Sequence, residues 1–404
     1  MESIYLDNNA TTRVDERVFT AMRPYLTHQF AHPSSPHLLG TKVREKIEQA
    51  RDSVAVLLGT SHPDEIVFTS GGTESINTAI KGVLAASPTR NHIVTTQVEH
   101  VSVLKLCLYM ANRHYRITYL PVDRQGTLNL EELRRSLTDS TAIVSVMWAN
   151  NETGIVFPIE EIGEIVKERG IIFHVDAVQA VGRVPINLRK LSHVDLLSLS
   201  GHKFHGPKGV GALFVRRGTK LHSLIIGGPQ EAMRRAGTEN VASIIGMGKA
   251  AELASIYLEE ENTRVRHLRD RLEAGIIGQI HGTRINGNRN GRIPNTTNIT
   301  FSGCEAGKVL KGMEKYGIYA TSGAACTGGL SPSHVLMAMG LTPPEAFSSI
   351  RFGLSRYNGE GEIDYVISIL TIIAKNLKTS LSPSLTPPRS DGHEVPATLA
   401  ESRN

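Results

Sequence analysis

Between residues 40 and 215 the chain alternates, and that alternation narrows its fold more than any other feature. Stretches with helical apolar spacing (41–58, 73–86, 101–113 and 159–168) are interleaved with short apolar runs at 65–69, 92–96, 142–147, 171–175, 194–199 and 211–215. Short runs separated by helices predict an α/β unit, a mainly parallel sheet with helices on both faces. In such sheets ligands gather at the carboxyl ends of the strands, so the residues just after each run are the ones to inspect.

After this unit, a long helical stretch at 241–277 predicts a connector, and the Gly/Asn/Arg-rich stretch 282–292 reads as a surface loop. Strand signals at 297–301 and 350–353, with helical stretches at 305–315 and 360–378, predict a smaller α+β domain. The expected division is 14–255 for the large domain, 1–13 with 256–378 for the small one, and a disordered Ser/Pro-rich tail at 379–404. A chain of 404 residues has room for two cores, and 40% hydrophobic with 21% charged residues is an ordinary globular balance.

Several function classes drop out. The net charge of +5 is spread along the chain, without a basic run interleaved with aromatics, so no nucleic acid is expected as a partner. Residues 1–7 have neither a basic nor an apolar leader pattern, so no secretory signal is expected there. The greasy stretch 365–377 is broken by Ser368, Thr371 and Lys375, and it falls short of the ~20 residues that cross a bilayer. Three cysteines, Cys107, Cys304 and Cys326, are an odd number without metal-ligand spacing. They point to a reducing, cytoplasmic setting and to no metal site of the protein's own.

The ends of the apolar runs carry the chemistry. Ser70-Gly71-Gly72-Thr73-Glu74 follows the first run and opens a helix, where free N–H groups attract a phosphate; a plain strand-to-helix turn reads the same way. Asp176 follows the fourth run, as a helix cap or as the partner of a cation. The fifth run leads into Ser200-Gly201-His202-Lys203, whose lysine is by itself an ordinary surface residue. Together, a lysine able to form a Schiff base, a strand-end Asp able to pair with a pyridine nitrogen and a phosphate-ready turn are the contacts pyridoxal 5′-phosphate needs. Cys326 sits in the small-residue stretch Thr321-Ser322-Gly323-Ala324-Ala325-Cys326-Thr327-Gly328-Gly329, which argues for an exposed loop rather than core. Cys107, within Leu106-Cys107-Leu108, reads as core, and Cys304 as a structural or incidental loop residue.

These residues belong to an ordered set of motifs: Tyr5-Leu6-Asp7-Asn8-Asn9-Ala10-Thr11-Thr12, Glu99-His100, Asn150-Asn151-Glu152-Thr153-Gly154, Asp176-Ala177-Val178-Gln179, Ser200-Gly201-His202-Lys203, Arg235-Ala236-Gly237-Thr238-Glu239-Asn240, the Cys326 stretch and Ser349-Ile350-Arg351-Phe352. From Tyr5 to about Lys378 the chain resembles the NifS/IscS family of cysteine desulfurases, closest to the nitrogen-fixation type. The resemblance implies the class V, aspartate aminotransferase-like fold of pyridoxal-phosphate transferases. By position it implies that Lys203 carries the cofactor, Asp176 meets its ring nitrogen, and His100 stacks on the ring and moves protons. Asn151 and Gln179 would lie by the phenolic oxygen, Gly72, Thr73, Ser200 and His202 would hold the phosphate, and Thr238 would reach the phosphate in the other subunit of a homodimer. Arg351, with Asn151, would bind the carboxylate of L-cysteine. The Cys326 thiolate would take the sulfur, leaving L-alanine and a persulfide that feeds an iron–sulfur scaffold protein; Cys326 could also ligate a transferred cluster.

Two departures from the family pattern stand out. Ala31-His32 occupies a place where Gly-Asn is usual, and Pro229 interrupts Gly227-Gly228-Pro229-Gln230. The alternatives on the same fold are a selenocysteine lyase, a cysteine-sulfinate lyase or a small aminotransferase. A catalytically inert homologue acting as an assembly partner is the reading from another class. No G-x-x-x-x-G-K-[ST] motif occurs, and no G-x-G-x-x-G opens a helix after the first strand, which argues against a nucleotide-binding enzyme.

Overall fold

The computed structural model describes residues 3–323 and 331–379. Its strands are β1 (Ile4–Tyr5), β2 (Ile66–Thr69), β3 (His92–Thr96), β4 (Arg116–Leu120), β5 (Thr141–Met147), β6 (Ile172–Asp176), β7 (Leu196–Ser200), β8 (Gly211–Val215), β9 (Thr283–Ile285), β10 (Thr296–Phe301), β11 (Ile318–Tyr319) and β12 (Ser349–Gly353). The seven-stranded sheet has the order β2-β8-β7-β6-β5-β3-β4. From β4 to β7 neighbouring strands run parallel, while β8 is antiparallel to both β7 and β2. This is the expected α/β sheet. Every residue of β2, β3, β5, β7 and β8 is buried, because helices cover both faces, and strands buried on both sides read as unbroken apolar runs.

Four strands escaped that signal, among them the two-residue β1 and β11. Only Leu120 of β4 is buried, so this edge strand has no apolar run to announce it. The stretch 282–292, expected as a surface loop, contains β9, and its last residue is buried rather than exposed. Arg292 Nη1 and Nη2 reach Glu273 Oε1 and Oε2 at 2.7 and 3.2 Å, and this interior ion pair explains a charged residue that composition assigns to the surface.

Hydrophobic packing gathers around each sheet. On one face of the large sheet, Val43, Val54 and Leu58 of the helix Leu38–Leu58 meet Phe173, Val175, Leu197 and Phe214. On the other face lie Ile76, Ile80, Val83 and Cys107. A separate cluster joins Ile4 and Leu6 of the N-terminus to Leu268, Phe301, Val309, Phe352 and Leu370, around the antiparallel sheet β12-β10-β9 and the pair β1-β11. Cys304 lies in the turn after β10, as expected of a loop residue, and its side chain is buried in this cluster. Val335, Leu336, Met339 and Leu341 pack instead on the large core.

The connector is one continuous helix, Val241–Gln279. By length and composition it could cross a membrane, but 56% of its most apolar window is buried inside the fold, as in a core helix. The last helix is Glu360–Thr379; the Ser/Pro-rich remainder and Cys326 lie outside the described residues. Neither Ala31 nor His32 adopts a positive φ, so the first departure from the family pattern carries no backbone strain. Pro229 opens a turn in which Glu231, Ala232 and Met233 all have φ between 49° and 63°, a run that non-glycine residues rarely adopt. Glu231 holds it through Arg51 (2.7 and 3.0 Å) and the Phe68 N–H (2.9 Å).

Replacing Glu273 with Ala strands the Arg292 guanidinium in the interior. We expect a loss of about 3–5 kcal/mol in denaturant unfolding. Glu273→Gln, which keeps acceptors, should lose less.

Candidate active site

A cavity of about 300 Å³ opens at the carboxyl ends of β5, β6 and β7. It brings together all of the sequence-derived candidates except Thr238 and Cys326: Gly72, Thr73, His100, Asn151, Asp176, Gln179, Ser200, His202, Lys203 and Arg351. Thr238 is exposed and lines a different cavity of about 140 Å³, beside Ser70 and Arg235. Cys326 falls outside the described residues, but Gly323, three positions before it, lines the first cavity.

The anion end is built by backbone. Gly71 (φ 152°, ψ −179°) caps the helix Gly72–Ala86 without a side-chain hydrogen bond, leaving the first helical N–H groups open to an anion. The backbone approaches so closely here that a Cβ on Gly72 would stand 2.8 Å from Val178 Cγ2. His202 Nδ1 lies 3.1 Å from Thr11 Oγ1. Burial, reinforced by Lys203, Lys208 and Arg183, pulls His202 down to about 4, so it meets an anion as a neutral ring at neutral pH.

Lys203 ends the turn Gly201–Lys203 after β7, and its Nζ donates to Asn9 O (2.6 Å) and Ala10 O (2.9 Å). Burial, then Arg351 and Arg183, lowers its amine to about 8, against the pull of Asp176 and Asp7. Asp176, the last residue of β6, accepts from the Val178 N–H at 3.0 Å and is raised to about 6, chiefly by burial. His100 caps the helix Val101–Ala111 by accepting from the Ser102 N–H at Nδ1 (3.2 Å), which assigns its single ring proton to Nε2. Burial, Lys203 and His334 lower it to about 4.

Arg351, in the middle of β12, donates to Asp7 Oδ1 (2.6 Å) and to Asn151 O (3.0 Å). Its buried Nε has no partner among the described residues. An unsatisfied guanidinium N–H in a cavity wall is where a carboxylate would be held.

Some residues of the site had no role assigned from sequence. Asn9 and Ala10 supply the carbonyls that seat Lys203, although their motif was conspicuous. Glu99 is fully buried beside His100: its Oε1 accepts from Thr96 Oγ1 (2.8 Å) and the Met147 N–H (3.0 Å), and burial raises it to about 8. Glu152 reaches both ends of the Cys326 segment. Its Oε2 accepts from Ser333 Oγ at 2.5 Å, and a Cβ on Gly323 would lie 1.9 Å from the same oxygen. No local pattern flags such a contact, because the partners are far apart in the chain.

The aminotransferase class-V family matches residues 4–366, and the chain belongs to that family. It is 54% identical to cysteine desulfurase 2 of Trichormus variabilis, across 95% of this chain and 96% of that one. It is 52% identical to cysteine desulfurase NifS of Azotobacter vinelandii, across 95% of each. A solved NifS-like protein superposes with a TM-score of 0.86 at 39% identity, covering 93% of this chain and all of the other.

Two outcomes follow from the wall of the cavity. Gly323→Ala should cost about 1–3 kcal/mol in thermal unfolding, since the new methyl displaces a hydrogen-bonded Glu152. Asp176 binds its proton more tightly folded than unfolded, so its burden is absent below the ordinary carboxylate range and grows as pH rises through about 6. Asp176→Asn should therefore stabilise the ligand-free protein by about 1–3 kcal/mol at pH ~7 and by little at pH ~4, read as the difference in melting temperature.

Proposed function

We propose that the chain is a pyridoxal-phosphate-dependent cysteine desulfurase that converts L-cysteine to L-alanine and takes the sulfur on Cys326. The observation that carries this reading is the convergence of Lys203, Asp176, His100, Arg351 and the open helix start at Gly72 on one cavity. The relatives named cysteine desulfurase, aligned over nearly their whole length, support it.

The cavity fits the cofactor on its own chemistry. The N–H groups at Gly72 and Thr73, with Ser200 and His202, suit a phosphate. Asp176 offers a carboxylate to a protonated ring nitrogen, whose positive charge would hold the acid ionised. Gln179 and Asn151, both in the lining, would hold the phenolic oxygen, and Lys203 offers an amine of lowered basicity. When bound, the cofactor supplies a sink for the electrons left on Cα after its proton is removed.

The chain's residues then divide the work. Arg351 binds the substrate carboxylate through its planar fork, with the unpartnered Nε available. Lys203, with an amine at about 8, can give up and take back a proton near neutral pH. His100 presents Nε2–H to the cavity as a neutral ring. Cys326 lies three residues along the chain from Gly323, which lines the cavity. Its thiolate forms the new S–S bond as the substrate Cβ–S bond breaks; the carbon takes the electron pair and a proton to become the methyl of alanine. The transferred sulfur remains on Cys326 as a persulfide, and no external oxidant is needed.

Thr238, exposed and outside this cavity, completes the phosphate site of a second copy in a homodimer. Residues 14–255 form the cofactor-holding domain, and 1–13 with 256–378 form the smaller one. The persulfide sulfur passes to an iron–sulfur scaffold protein in the cytoplasm, a role supported by 52% identity to the protein named NifS.

The test is alanine and sulfide release from L-cysteine with a reductant. Cys326→Ala should release neither while cysteine still perturbs the absorbance of the bound cofactor. Equal turnover by Cys326→Ala and wild type would move the enzyme to the lyase or aminotransferase readings. Arg351→Lys should raise KM and lower kcat/KM by about 10- to 100-fold, the worth of charge-assisted hydrogen bonds to a carboxylate.

A further inference from the structure

Arg183 lies outside the cavity lining, yet it touches the parts that shape it. The side chain is buried, at 5% exposure, and among the described residues it makes no ion pair. Its Nη1 donates to Gln179 O (3.0 Å) and Gln179 Oε1 (2.8 Å), and its Nη2 donates to Lys203 O at 3.0 Å. A guanidinium can only donate, so Gln179 must turn its Oε1 toward Arg183. That leaves the Gln179 Nε2 group facing Asn9 O, at 2.9 Å, and the cavity.

A buried cation whose hydrogen bonds all go to neutral acceptors is costly to keep, even with the Glu261 carboxylate acting on it from beyond hydrogen-bond distance. A role confined to tying backbone together needs no charge, since a neutral amide or a water could accept and donate there. The cost is explained if the charge itself acts on the neighbour whose carbonyl it holds.

We propose that Arg183 is a positioning residue of the active site, which fixes the Gln179 amide as a hydrogen-bond donor into the cavity and, as a buried cation held against the Lys203 backbone, disfavours positive charge on the Lys203 side-chain nitrogen. The proposal rests on the desulfurase reading for its consequence in catalysis, but not for its measurement. The charged and titratable groups around that nitrogen are Arg351 and Arg183 as cations, Asp176 and Asp7 as anions, and the rings of His100 and His202. Arg351 is ion-paired with Asp7, whereas Arg183 makes no ion pair among the described residues, and the buried Glu261 carboxylate offsets part of its charge from beyond ion-pair distance.

The experiment uses full-length protein loaded with pyridoxal 5′-phosphate and reads the pH midpoint of its visible absorbance, which reports the proton on the Lys203 nitrogen. Arg183→Met and Arg183→Gln remove the charge; Arg183→Gln keeps a side-chain donor, which guards against loss of the fold. Arg183→Lys keeps the charge and loses the fork. Both neutral variants should move the midpoint upward by about half a pH unit or more, and Arg183→Lys should leave it within about 0.2 units of wild type. Neutral variants that titrate with wild type would overturn the proposal, as would a lysine variant that shifts as far as they do. Failure of the desulfurase reading is seen separately, as a wild-type protein that does not turn over L-cysteine.

Discussion

The site depends on one arrangement: the ammonium of Lys203 donating to the carbonyls of Asn9 and Ala10. Lys203 ends the turn that follows β7 of the large sheet, while Asn9 and Ala10 follow a segment whose Ile4 and Leu6 belong to the other core. The same N-terminal backbone accepts from Gln179 at Asn9 O, and Asn9 Nδ2 reaches Asn151 O at 3.1 Å. The first residues of the chain are thus a floor on which the cavity's polar side chains are set. Their carbonyl dipoles supply the acceptors that a buried amine requires.

Around that floor most ionisable groups are shifted away from their ordinary titration range. Burial lowers Lys203, His100 and His202, and it raises Asp176 and Glu99. The effect has one physical origin, the removal of water from around ionisable groups, and clustering of such shifts is the expected signature of a working site. A neutral imidazole, an amine that titrates near neutrality and a guanidinium with a spare N–H are the properties a reaction at Cα of an amino acid calls for.

The legibility of this architecture in the sequence follows its burial. Strands covered on both faces, such as β5 and β8, stand out as apolar runs, and their carboxyl ends led to Asp176 and Lys203 without any long-range information. The exposed edge strand β4 and the short β9 left no such trace. Residues that act through distant partners were hidden as well. Arg292 fell in a stretch expected at the surface, and Arg183 and Glu152 had no role assigned, because each finds its partner across packed elements. Thr238 was legible as a motif residue, but it lines a different cavity from the one that holds Lys203.

The central claim is that sulfur leaves the substrate in the cavity of Lys203 and arrives on Cys326. Its most direct test is mass spectrometry of the cofactor-loaded protein after brief exposure to L-cysteine, without reductant, with each cysteine-bearing peptide resolved. The account predicts one added sulfur on the Cys326 peptide, none on the buried Cys107 and Cys304, and none anywhere in Lys203→Ala. Alanine formed while Cys326 stays unmodified, or added sulfur that persists in Lys203→Ala, would contradict it.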